Sequence, residues 1–113
     1  MADPPRARRA RASPEAVARV VYAARALAHL DRAFAYFDRD EPDAAVAAVE
    51  AIISAIEMLQ HHPLIGRIVA GEIRELVISY GRTGYLALYR FVPARREVRV
   101  LAVRHQRELG YPP

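Results

Sequence analysis

The chain has 113 residues, 53% of them apolar and none of them cysteine, with 17 basic against 13 acidic side chains. That length supports one domain with one modest core, and the lack of cysteine excludes a disulfide framework and a thiolate metal site while fitting a reducing cytoplasm. No run approaches the roughly 18 apolar residues of a membrane span, and no apolar stretch follows the N-terminal arginines as a secretory signal requires.

All 17 basic residues are Arg, whose planar fork binds carboxylate and phosphate bidentately. They are unevenly spread. Residues 15–60 carry four Arg against eight acids, and residues 61–113 carry nine Arg against four acids. A basic C-terminal half of this kind attracts nucleic acid or an acidic protein.

Residues 1–14 read as a disordered basic tail, with Pro4-Pro5, interspersed Arg and Ala, and nothing large and apolar to bury. Residues 15–113 read as one domain. Val17 to Tyr22 has the β-branched content and the alternation around Arg19 of a short strand. From Ala24 to Arg39 the spacing of Leu27, Leu30, Phe34 and Phe37 predicts a helix with those residues on its buried stripe. A break at residues 38–42 precedes a second helix, with Pro42 suited to its first position and Glu41 and Asp43 to its positive end. That helix is expected to reach about His61, burying Val46, Val49, Ile52, Ile53, Ile56 and Leu59. A short turn between two helices gives an antiparallel hairpin.

His61-His62-Pro63 ends the helix, because the residue before proline is pushed out of helical angles. Paired histidines at a helix C-terminus are favoured by the dipole. Without a cysteine or an acid at ligand spacing they do not form a metal site. Residues 63–67 read as a loop. Three strand-like runs follow, Ile73 to Ser79, Tyr85 to Phe91 and Glu97 to Arg104. Short Gly- or Pro-containing connections join them, so they are antiparallel neighbours. The run Val98 to Val103, interrupted only by Arg99, suits a central strand. The fold class is therefore α+β: a short N-terminal strand, an antiparallel helical hairpin that covers one face of the sheet, and a three-stranded antiparallel meander.

In this order and spacing, Ala26-Leu27-Ala28-His29-Leu30-Asp31-Arg32, Pro42-Asp43-Ala44-Ala45, Pro63-x-x-Gly66-Arg67, Arg74-Glu75-Leu76, Tyr89-Arg90 and Val100 to Glu108 resemble the RelE/ParE superfamily of bacterial type II toxins. The resemblance runs from about Val17 to Tyr111. It implies a cytoplasmic toxin held inactive by a cognate antitoxin that wraps an extended or helical segment along it. It implies no cofactor and no metal. Two targets occur in the superfamily. RelE-like members cut messenger RNA in the ribosomal A site; ParE-like members poison DNA gyrase. A degenerate member would bind antitoxin without being toxic.

Metal-independent RNA cleavage needs a 2′-OH activated, a phosphate neutralised and a leaving oxygen protonated. For that chemistry the resemblance offers Arg104, His105, Arg107 and Tyr111 as a catalytic set. His105 is the only strand-end residue whose ordinary pKa lies near neutrality. Arg67, Arg74, Arg90 and Arg99 are candidates for a binding surface. Val77, Ile78, Leu86 and Leu88 stand where RNA-cleaving members carry a basic cluster, and the chain has no Lys. That departure favours the ParE-like branch, a binding activity that requires no catalytic constellation. Exposed apolar positions on the hairpin, an open edge strand and the basic sheet half are expected to receive an acidic antitoxin segment.

Overall fold

Val20, Val21 and Tyr22 suit a pleated, half-buried surface, and in the computed structural model, which describes residues 17–38 and 42–113, they lie in β1, Arg19–Tyr22. The tail 1–14 and the interruption at 39–41 lie outside the described residues. Helix α1, Ala24–Asp38, follows at once. Helix α2, Pro42–Glu57, carries Asp43 in its first turn and closes in a 3-10 turn, Met58–Gln60. The tighter turn ends α2 four residues before His61. Next come β2, Arg67–Ala70, β3, Ile73–Tyr80, β4, Thr83–Val92, and β5, Glu97–His105.

These strands form one five-stranded sheet in the order β1-β5-β4-β3-β2. The expected meander of β3, β4 and β5 is antiparallel, while β1 pairs parallel with β5, Val20 opposite Val98 and Tyr22 opposite Val100. The last strand is thereby central, and the sheet is mixed. Strand β2 corrects the reading of Arg67 as a loop residue. It pairs antiparallel with β3, Arg67 opposite Glu75, and every residue of it is exposed. An edge strand with no buried face has no alternation to reveal it.

Neighbouring strands share a face in register. Leu76, Ile78, Tyr85, Ala87, Tyr89, Val98, Val100 and Val103 lie on one face and form the core with Ala26, Leu30, Ile52, Ile56 and Leu59 of the helical hairpin. Leu30, Ile52, Ile56 and Leu59 lie inward as expected, and the helical stripes differ from expectation at other positions. In α1 the inward positions are Ala26, His29, Leu30 and Ala33, and Leu27 is 49% exposed. In α2 they are Ala45, Ala48, Ile52 and Ile56, and Val46 is 48% exposed. Alanines fill several of the inward positions, so Leu27 and Val46, one step round from Ala26 and Ala45, stay outside.

The opposite face carries Glu75 and Val77 of β3, Leu86, Leu88 and Arg90 of β4, and Glu97, Arg99, Ala102 and Arg104 of β5. Among the described residues no helix covers it, yet Ala102 and Leu86 are buried there. The C-terminal residues return over this face, as described next.

Candidate functional surfaces of the sheet

Alternation along β5 sends Arg104 and His105 to opposite faces, which divides the candidate catalytic set. Arg104 reaches the helix-free face. Its guanidinium carbon lies 5.2 Å from the centroid of the Tyr111 ring, and Nη1 donates to the Glu108 carbonyl. The Tyr111 hydroxyl donates to Glu75 Oε2 at 2.7 Å, while Arg67 donates to Oε1 through Nη2 at 2.5 Å and through Nε at 3.1 Å. Burial works to raise the Glu75 pKa, but the hydrogen bonds from Arg67 and Tyr111 and the nearby charges of Arg67 and Arg104 outweigh it. The carboxyl is held below its ordinary range and stays ionised. Burial, and then the Glu75 carboxylate, raise the Tyr111 pKa, which keeps the phenol a donor.

The chain end is tied down from the other side by α1. Arg25 donates through Nη2 to the Tyr111 carbonyl at 3.2 Å and through Nε to the Pro112 carbonyl at 2.9 Å. Buried His29 joins two segments. Its Nδ1 accepts the Val103 backbone N–H at 2.9 Å, which puts the proton of the neutral ring on Nε2, facing the Pro112 carbonyl at 2.9 Å. The Val103 amide lies on β5 beyond Val100, the last residue paired with β1, so His29 satisfies a strand edge that has lost its neighbour.

His105 and Arg107 line an open cleft of about 580 Å³ between the end of the sheet and α1, which Arg104 borders as well and Arg32, Tyr36, Arg82 and Tyr85 surround. The His105 ring meets Tyr85 edge to face, with centroids 5.1 Å apart. Its Nδ1 accepts the Arg107 backbone N–H at 3.1 Å, so the neutral ring carries its proton on Nε2, beside the Thr83 hydroxyl. Both ring nitrogens are therefore engaged. Glu108 closes the turn, accepting the His105 N–H at 2.8 Å and the Arg32 guanidinium at 3.3 Å. The cleft can attract an anion through Arg32, Arg82 and Arg107. Acid–base work by His105 would first require loss of one of its hydrogen bonds.

The candidate binding arginines also divide. Arg74 points to the helix side and donates to the carbonyls of Leu64 and Gly66 at 2.9 and 2.8 Å, which fixes the loop before β2. Arg67 holds Glu75. Arg90 and Arg99 stand opposite one another on the helix-free face. Arg99 binds Glu97, as does Arg19 from β1. Hydrogen bonding from Arg99 holds the Glu97 carboxyl below its ordinary range, against burial and with further help from the charges of Arg99, Arg19 and Arg95. The sequence reading missed Glu75, Glu97, Arg19, Arg25 and His29. Two acids inside strand runs of a basic segment were the available signal for Glu75 and Glu97. His29 carried none, because its partners lie more than seventy residues away. Among the described residues, no three His, Cys, Asp or Glu side chains are grouped to hold a metal ion, and no helix is long and apolar enough to cross a membrane.

A short strand, a helical hairpin and C-terminal antiparallel strands in this order form the fold of a RelE/ParE-superfamily type II toxin. The chain belongs to the ParE toxin family of type II toxin–antitoxin systems (parDE), whose family model matches residues 20–110. It is 38% identical over 90 residues to the protein Y4kP of Sinorhizobium fredii, covering 77% of this chain and 86% of that one. It is 37% identical over 67 residues to toxin RelE3 of Caulobacter vibrioides, covering 59% and 71%. Among solved structures it is similar to a chain of the chromosomal ParDE system from P. aeruginosa, with a TM-score of 0.67 at 20% identity over 80% of this chain and 97% of that chain. At that identity the likeness is one of fold.

Proposed function

We propose that this toxin acts as a ParE-like poison of DNA gyrase, by binding and not by RNA cleavage, and that a cognate antitoxin neutralises it. The observation that carries the reading is the division of the would-be catalytic set. Tyr111 is held by Glu75 on the helix-free face, outside the cleft that His105 and Arg107 line together with part of Arg104, and both ring nitrogens of His105 are engaged. Concerted acid–base and phosphate work requires those groups within hydrogen-bond reach of one substrate. The match to the ParE family model supports the same branch. The test uses the purified chain in two assays. Gyrase supercoiling should be inhibited, with trapped cleavage complexes, and messenger RNA programmed on ribosomes should stay intact by primer extension. Intact message together with uninhibited gyrase would refute the reading. If expression without antitoxin also leaves growth unchanged, the degenerate alternative stands.

A ribosome-dependent endoribonuclease is the second reading, favoured by the arginines around His105 in the open cleft. It requires cuts within codons, and His105→Ala should then slow cleavage roughly 10²–10⁴-fold. Undiminished cleavage would remove His105 from that role.

A further inference from the structure

We infer that the cleft between α1 and the end of the sheet is a binding site for a free nucleoside diphosphate. The inference is independent of the gyrase reading, because it concerns a ligand held by this chain alone. Three segments build the cleft. Helix α1 contributes His29, Arg32 and Tyr36, spaced three and four residues apart and so aligned on one helical face. At about 1.5 Å of rise per residue this row is about 10 Å long, room for a base, a ribose and a phosphate in line. The two-residue turn Gly81-Arg82 between β3 and β4 carries Arg82 to the rim, with Gly81 at a φ of 58° as a glycine-first hairpin turn requires. The end of β5 and the turn after it contribute Arg104, His105 and Arg107.

The charge in the cleft is largely unspent. Its one carboxylate, Glu108, already accepts the His105 N–H and the Arg32 guanidinium. The exposed side chains of Arg82 and Arg107 meet no acid among the described residues. Arg104 Nε is buried and has no hydrogen-bond partner among them. Two uncommitted guanidinium forks and an unsatisfied N–H suit a multiply charged phosphate group. The walls call for a ring as well. Tyr36 is 61% exposed on α1, and Tyr85 and His105 lie on the side of the sheet. The hydrogen bonds of His105 to Thr83 and Arg107 lie in the plane of its ring, so they fix the ring without using its faces. Stacking on such rings accepts any base. A nucleic-acid strand is held along a groove that tracks its backbone, whereas these arginines gather round one cleft of about 580 Å³, the size of a small-molecule site.

The test is calorimetric titration of the full chain with ADP, and separately with its two halves, adenosine and inorganic pyrophosphate, and with a short single-stranded RNA. ADP should bind more tightly than either half. Arg82→Gln/Arg107→Gln should weaken both ADP and pyrophosphate about ten-fold or more, the loss expected for charge-assisted hydrogen bonds. These side chains are exposed, so the double variant should keep its fold, checked by circular dichroism. Tyr36→Ala should weaken ADP about ten-fold, as for a lost base stack, and leave pyrophosphate unchanged. Absence of ADP binding at millimolar concentration overturns the site, as does equal ADP affinity in the folded double variant or adenosine binding as tightly as ADP. RNA binding that depends on Arg82 and Arg107 where ADP does not bind would assign the cleft to nucleic acid and also overturn it. Gyrase inhibition is read in a separate assay, so failure here leaves the proposed target untouched.

Discussion

The backbone N–H of Gly66 donates to the Tyr89 hydroxyl at 2.8 Å, and a Cβ added at position 66 would lie 2.6 Å from Tyr89 Cε1 and 2.9 Å from the Glu75 carbonyl oxygen. Tyr89 is fully buried, so its ring cannot swing aside. Gly66→Ala should therefore destabilise the fold by about 1–3 kcal/mol, the usual cost of overpacking. Tyr89→Phe keeps the ring but strands the Gly66 amide, and should cost about 1–3 kcal/mol. Urea unfolding of the two variants checks both values. A loss below about 0.5 kcal/mol in either would mean that the loop does not lean on the ring.

Acid should loosen the molecule through Glu75 and Glu97. Each carboxyl has a folded pKa below its ordinary value of 4.5. Their contributions are therefore complete above that pH and are lost as pH falls through the folded values. Stability measured by urea midpoint should drop between about pH 5 and pH 2, the usual window for paired carboxylates, and Glu75→Gln should shallow that drop. Tyr111→Phe should cost about 1.5–3 kcal/mol at neutral pH, as for a hydrogen bond to a charged group, and less once Glu75 is protonated.

The alkaline limb has a different origin. Burial, with smaller contributions from Tyr36, Glu108 and Tyr80, pushes the Tyr85 phenol up to about 12 from 10.0. The unfolded chain loses this proton first, so stability present below pH 10 falls as pH rises from 10 toward 12. Tyr85→Phe should flatten that decline without abolishing it, because Tyr22, Tyr89 and Tyr111 are raised as well. An unchanged slope would mean that Tyr85 ionises without unfolding.

Removing the His29 ring should release the chain end. His29→Ala leaves the Val103 amide without its partner and the Pro112 carbonyl with Arg25 alone, at about 1–3 kcal/mol for the buried amide. Hydrogen exchange at Val103 should quicken in the variant. Unchanged protection there would show that water replaces the ring at little cost.

The readable parts of the sequence were those whose signal is local. β-branched and aromatic runs marked β3, β4 and β5, and Pro42 with Asp43 marked the start of α2. The helical stripes were legible at Leu30, Ile52, Ile56 and Leu59 and misread at Leu27 and Val46, which outweigh Ala26 and Ala45 in any hydropathy pattern although closely packed helices reserve inward places for alanine. Strand β2 was hidden by its exposure. The contacts of Tyr111 with Glu75 and of His29 with Pro112 join residues 36 and 83 apart, and no periodicity records such a meeting. The division of Arg104 from His105 was implicit in the strand itself, since consecutive residues point to opposite faces.

Strand β5 follows every other strand in the chain, yet it lies between β1 and β4. Until it is made, β1 has no partner and the hairpin covers an incomplete sheet. A message truncated before the codon for Glu97 therefore yields a chain without the strand that joins the two halves of the sheet. Synthesis must pass that point before the complete sheet can exist, so the order of translation itself delays the hazard to the cell that makes the toxin.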